Sequence, residues 1–207
     1  MPFCLTITIY LCYNKHYTTI YLKVVHSRFW GFPIRLPYIA FMMNIPYLKQ
    51  ETPFSCGPAA LSMVFLFYGI NKTEEELSER LRTNKHVGTL HSDMVRVARE
   101  EGFYVFENED SSIVEIDGLL KLRVPVIVHF AEPSENDNHY AVVIKVDDTH
   151  LMLNDSWNGE KVMMEIDDFV ERWSSEHTSQ DKWLIAISKE PFSLGRQYPP
   201  LKKEEAA

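Results

Sequence analysis

The rhythm of apolar and polar positions changes once along the chain. From Cys56 to Gly102 it is helical; beyond Phe103 it breaks mostly into short runs of strand character. Cys56 to Tyr68 is an apolar run that stops at Gly69, a residue suited to a left-handed helix end, so a helix is expected to start at or just after the cysteine. Thr73 followed by Glu76 is a capping box for a second, exposed helix to about Arg82. Thr89 is expected to begin a third, with Met94, Val95, Val97 and Ala98 on its apolar face and Gly102 closing it. FYVFE at 103–107 predicts a strand, and a helical stretch from Ile113 to Arg123 leads into PVIVHF at 125–130. HYAVVIKV at 139–146 and HLMLND at 150–155 flank Asp147-Asp148-Thr149 and predict a hairpin. KVMMEI is a short strand or turn, DDFVERW a helix, and WLIAIS at 183–188 the last strand. Helices first and strands later predict an α+β fold, with N-terminal helices packed on a C-terminal antiparallel sheet.

Charge divides the chain differently. Residues 1–42 hold Lys15, Lys23, Arg28 and Arg35 and no Asp or Glu; with a net charge of −8 overall, the remainder carries −8 − 4 = −12. TITIY and TTIYL within this segment have strand character, and the apolar run from Cys4 to Tyr13 is too short to span a bilayer. The segment is therefore either a β-rich extension or sequence upstream of a start at Met43. The expected organisation is this extension at 1–42, one domain at 43–190, and a tail at 191–207 that crosses the surface and then frays. A hydrophobic content of 45% with 24% charged residues suffices for one substantial core. The acidic balance argues against nucleic acid or an anionic membrane as partner. Three cysteines, Cys4, Cys12 and Cys56, are too few and odd in number for a disulfide scaffold, which points to a reducing, cytoplasmic compartment.

Cys56 sits in QETPFSCGPAAL, between a polar turn and the first helix. A free cysteine is most often a small buried hydrophobe. A helix N-terminus, however, stabilises a thiolate, and Gly57 and Pro58 suit a helix start that substrate backbone can approach. Gln50, six residues upstream, can return through a turn at Pro53 to supply one oxyanion donor, with the Cys56 amide as the other. Of eight histidines, His16 and His26 lie in the extension, His86, His91 and His177 in polar loops or helix starts, and His150 beside the hairpin turn. His129 lies in an apolar strand and is expected to be a structural imidazole. His139 begins a strand directly after the loop SENDN and is expected at a sheet end facing a cleft. If residues 147–149 form the loop, His139 faces residue 157, and Asp155 is its same-face diagonal neighbour. NDSWNG taken alone is an ordinary polar turn. Cys56, His139 and Asp155 together, each at an element end, favour a nucleophile, a base and an orienting carboxylate.

PYLKQETPFSCGPAALSMVFLFYG, HVGTL, NHYAVVIKV and LNDSW together resemble the papain-like cysteine peptidases of the bacteriocin-processing, double-glycine leader family and its stand-alone relatives, over roughly Ile45 to Ile187. The resemblance implies a papain-like fold, Cys56 as nucleophile, His139 as base and then acid, Asp155 as its orienting partner, and Gln50 in the oxyanion hole. It also likens Trp157 to the tryptophan that shields the papain triad, and Phe169 and Trp173 to late-helix aromatics for which core packing suffices. Family members usually precede the membrane and nucleotide-binding domains of an exporter, which this sequence lacks, so the expected substrate widens to a peptide or amide, with hydrolysis or transfer to an amine. No cofactor is expected, and no metal-ligand spacing stands out. Two rivals are a non-catalytic peptide-binding module on this fold and a transpeptidase similar to phytochelatin synthase; the latter usually brings further cysteines, and after Met43 only Cys56 exists.

Overall fold

The computed structural model describes residues 7–14, 17–24, 41–174, 181–193 and 197–201. The chain divides into two units, Met1–Ile39 and Ala40–Ala207. In the first, β1 (Ile7–Asn14) and β2 (Tyr17–Val24) pair antiparallel, with Ile7 opposite Val24 and Asn14 opposite Tyr17. This is the strand character expected of TITIY and TTIYL. Cys4, His16, His26 and His177 lie outside the described residues, as does the frayed end expected after Leu201.

The second unit builds a seven-stranded sheet from β3 (Tyr104–Asn108), β4 (Val126–Ala131), β5 (Asn138–Val146), β6 (His150–Asp155), β7 (Gly159–Glu165), β8 (Leu184–Ser188) and β9 (Gln197–Tyr198). The order across it is β7-β6-β5-β4-β8-β3-β9, and each neighbouring pair is antiparallel. Helices α1 (Cys56–Phe67), α2 (Glu74–Arg80) and α3 (His91–Glu100) precede it, and α4 (Ile113–Lys121) and α5 (Ile166–Arg172) are inserted between strands. The fold is α+β, as the order of periodicities predicts.

Helix α1 is apolar around its whole circumference, which only a central helix can satisfy. Ten of its 12 residues are buried, and it packs on β5. Phe65 on its inner side stacks on Phe103 with ring centroids 5.5 Å apart. Four helix ends close alike, with a left-handed residue at Gly69, Arg82, Gly102 and Arg123, and a backbone bond reaching back past it, as from Ile70 N–H to Phe65 O at 2.9 Å. Helix α2 has the expected cap, Thr73 Oγ1 accepting from Glu76 N–H at 3.1 Å. The expected start of α3 at Thr89 does not hold. Leu90 occupies the cap position, and the Thr89 hydroxyl instead pairs with Thr83 Oγ1 at 2.7 Å.

Strand β4 is buried at every position and β5 from His139 to Ile144, so the centre of the sheet is covered on both faces. Its edge strand β7 is largely exposed. Phe169 and Trp173 are fully buried, in keeping with core packing, and Trp173 Nε1 donates to Trp183 O at 2.8 Å. Among the described residues no helix is long and apolar enough to cross a membrane.

Candidate active site

Cys56 is the first residue of α1 and is buried. The N-cap residue Ser55 does not cap the helix. Its hydroxyl is engaged with Thr52, donating to Thr52 O at 3.0 Å and accepting from Thr52 N–H at 3.1 Å. The first-turn amides beside the sulfur therefore carry no side-chain cap, the condition under which a helix end attracts negative charge. Gly57 is required here by close approach. A Cβ at this position would lie 2.6 Å from Thr89 Oγ1 and 2.7 Å from Thr89 Cβ. Thr89 thus serves to seat the helix start rather than to open α3.

The β5–β6 hairpin delivers the other half. Near its turn, Val146 pairs with Leu151 and Lys145 with Met152, because Asp147 accepts the Thr149 and His150 N–H groups and widens the loop by one residue relative to expectation. Continued unchanged, that register would put Asp155 and His139 on opposite faces. A register shift between Val143 and Lys145 removes the offset, and Val143 then pairs with Leu153 and Val142 with Asn154. The corrected ladder sets Asp155 on the face of His139, and His139 Nε2 lies 2.8 Å from Asp155 Oδ1. An ionised carboxylate only accepts, so Nε2 donates. Nδ1 remains as the ring acceptor, and Cys56 lies near enough to bear on the charge of His139.

Gln50 is buried and tied from three sides. Its backbone N–H donates to Ser156 O at 3.1 Å, its Oε1 accepts from Ser156 Oγ at 2.7 Å, and its Nε2 donates to Thr52 O at 2.7 Å. The Thr52 carbonyl, which can only accept, fixes which end of the amide is the donor. Asn154 Nδ2 also donates to Ile45 O at 2.9 Å, so the lead-in to Cys56 runs along the end of β6. Gln50, Cys56, His139 and Asp155 are thus gathered at one place. Ser156 is a site residue that sequence reasoning missed, because a serine after an aspartate looks like any turn residue.

Burial opposes charge on His139, but its hydrogen bonds to Asp155 and Cys56 and their charges outweigh this and raise its pKa to about 10. Burial would push the Asp155 carboxyl up; the His139 bond and charge, with donors from Asn158, hold it below the usual value. Asp155 Oδ1 also accepts from the Trp157 and Asn158 N–H groups, each at 2.9 Å. The Trp157 side chain, expected as a shield, is 39% exposed.

His129 behaves as the structural imidazole expected of it. It stacks on Tyr140 with centroids 4.5 Å apart, and its Nδ1 lies 3.0 Å from His91 Nε2. His91 reaches inward from the start of α3 and stacks on Trp183 at 3.7 Å. Among the described residues no group of three or more His, Cys, Asp or Glu is arranged to hold a metal.

Comparison with known proteins gives this arrangement a context. The peptidase C39 family matches residues 44–179. An uncharacterised protein of Methanothermobacter marburgensis is 28% identical over 116 residues, 56% of this chain and 75% of that protein. An uncharacterised protein of Methanothermobacter thermautotrophicus is 30% identical over 108 residues, 52% and 69% respectively. Among solved structures, the peptidase domain of Streptococcus ComA, a bifunctional ABC transporter of a quorum-sensing pathway, superposes with a TM-score of 0.58 at 24% identity, covering 70% of this chain and 98% of that one. A putative C39-like peptidase from Bacillus anthracis superposes with a TM-score of 0.60 at 17% identity, over 73% and 98%. A double-glycine motif protease from an AMS/PCAT transporter, bound to its leader peptide, gives 0.54 at 19% identity, over 73% and 96%. These likenesses carry the papain-like fold, and since the family match spans more than half of the sequence, the chain belongs to the peptidase C39 family.

Proposed function

We propose that this protein is a cysteine peptidase that cleaves a peptide or amide bond through a thioester intermediate, with Cys56, His139 and Asp155 as its triad and Gln50 in its oxyanion hole. One observation carries the reading. His139 Nε2 lies 2.8 Å from Asp155 Oδ1, Cys56 bears on the His139 charge, and all three residues are buried.

In this mechanism His139 takes the thiol proton, and the Cys56 Sγ electron pair attacks the substrate carbonyl carbon. The Cys56 backbone N–H and the second Nε2 hydrogen of Gln50 hold the oxyanion; the first is engaged by Thr52 O. As the C–N bond breaks, the imidazolium gives its proton to the leaving amine. His139 then deprotonates a water that attacks the thioester, releasing the acid and restoring the thiol. Asp155 keeps the ring oriented and its positive charge stabilised throughout.

A peptide is the substrate class, in line with the family and with the leader peptide bound to the AMS/PCAT protease. Residues 43–190 form the catalytic domain, and it acts in the cytoplasm, where Cys56 stays reduced. Cys56→Ala should abolish both peptide turnover and labelling by iodoacetamide; turnover that persists ends the proposal. Gln50→Ala tests the oxyanion hole separately. It should lower kcat by about 10²- to 10³-fold while leaving iodoacetamide labelling within a few-fold, because displacement at an alkyl iodide develops no oxyanion.

A further inference from the structure

Behind Asp155 lies a second buried carboxylate that the mechanism does not use. Glu132 is 3% exposed and sits at the start of the loop that leads into β5 and His139. Its Oε2 accepts from Ser134 N–H at 2.7 Å and Ser134 Oγ at 2.5 Å, and its Oε1 from Glu135 N–H at 2.5 Å. The loop closes on its backbone too, with Glu132 N–H donating to Asp137 O and Asn136 N–H to Glu132 O, both at 3.0 Å. Asn158 connects the two acids. Its Nδ2 donates to Asp155 Oδ2 at 3.1 Å and to Glu132 Oε2 at 3.1 Å. A primary amide nitrogen carries two hydrogens, so each carboxylate receives one. Two acceptor-only neighbours also dictate that the nitrogen end of the amide faces them. Among the described residues, no Lys or Arg forms an ion pair with Glu132 or Asp155.

We propose that Asn158 and Glu132 are positioning residues of the active site: the Asn158 amide locks the second oxygen of Asp155, and the buried Glu132 charge behind it favours the His139 imidazolium and so the reactive Cys56 thiolate. The inference rests on the triad reading given above. The hydrogen-bonded chain runs Glu132, Asn158, Asp155, His139, and Cys56 bears on His139 at its far end. The added negative charge therefore lies on the imidazole side of the sulfur, where it favours the ion pair over the neutral pair. The groups that bear on His139 are Cys56 from α1, Asp155 from β6 and, through its own titration, His129 from β4. Tyr47, itself under the influence of Glu160, also faces the Asp155 charge. A purely structural Asn158 would hold the turn after β6 without affecting proton equilibria.

The deciding experiment is the pH dependence of Cys56 alkylation by iodoacetamide in the full chain, which requires no knowledge of the natural substrate. It compares wild type, Asn158→Ala, Glu132→Gln and His139→Ala, each checked for folding by thermal melting. For Asn158→Ala the acid limb should move up by about one pH unit, making alkylation at a fixed pH on that limb about tenfold slower. Glu132→Gln keeps the shape of the side chain and its acceptor for Ser134, and should move the limb the same way, with a two- to threefold slowing of about the size expected for a charge one group removed. If Asn158→Ala does not fold, Glu132→Gln decides alone. Folded variants whose profiles coincide with wild type overturn the positioning role and leave the triad standing. A wild-type profile that coincides with His139→Ala overturns the triad, and this inference with it.

Discussion

His139 and His129 stand on adjacent strands, at 5% and 8% exposure, yet their surroundings drive them in opposite directions. His139 has a carboxylate at 2.8 Å and is raised to about 10. His129 has another imidazole at 3.0 Å, and burial, with the charges of His91 and His139, lowers it to about 3. Burial acts downward on both. What differs is the partner, and that follows from strand register. Tyr140 faces His129 across the ladder, while His139 faces Phe130 on the other side of the sheet, the side on which the corrected hairpin places Asp155. An imidazole nearly out of water becomes a charged partner or a neutral spacer according to which face of β4 and β5 it occupies.

The contrast is broken most severely by Asp155→Asn. His139 would lose the group that holds its charge and move toward the neutral behaviour of His129, and peptide turnover should fall by about 10⁴-fold. Turnover within tenfold of wild type would show that His139 does not depend on the carboxylate.

Stability against pH reads both histidines at once. His139 is raised in the folded state, so its contribution is complete below about pH 6.5 and fades as pH climbs through about 10. His129 is lowered, so between about pH 6.5 and 3 the unfolded chain takes up a proton that the folded chain refuses, and stability drops by at most about 5 kcal/mol. His129→Phe should therefore flatten the acid limb of a denaturant-midpoint profile and leave the alkaline limb in place. An unchanged acid limb would mean that His129 is not the group responsible.

The smallest effect is the most direct. His91→Glu puts a carboxylate at the first turn of α3 where the neighbouring imidazole now stands, and should raise the His129 pKa by about 1 to 3 pH units in an NMR titration. A value that does not move would show that partner identity is not what separates the two histidines.

Much of this site is legible along the chain. Cys56 could be placed at a helix start because the apolar run begins there and ends at Gly69. His139 and Asp155 could be paired by parity because alternation in a hairpin is a two-residue rule. Other features left no local mark. Gly69 and Gly102 announce left-handed helix ends, but Arg82 and Arg123 take up the same conformation without a cue, held by the closing bonds from Thr83 N–H to Ser78 O and Val124 N–H to Leu119 O. Thr89 looks like a helix cap and is one in propensity; contact with Gly57 and Thr83 redirected it. Ser156, Asn158 and Glu132 are polar residues in turns, and their partners lie up to 106 positions away.

The sequence by itself determined the order of helices and strands, the α+β class and the choice of Cys56, His139, Asp155 and Gln50, because periodicity, turn chemistry and element ends are local properties. Tertiary structure alone decided whether those residues meet. The loop at Asp147 is one residue wider than expected, and a single register shift between Val143 and Lys145 returns Asp155 to the face of His139. A one-residue slip exchanges the two faces of a strand, and no local pattern reports a compensating pair of slips.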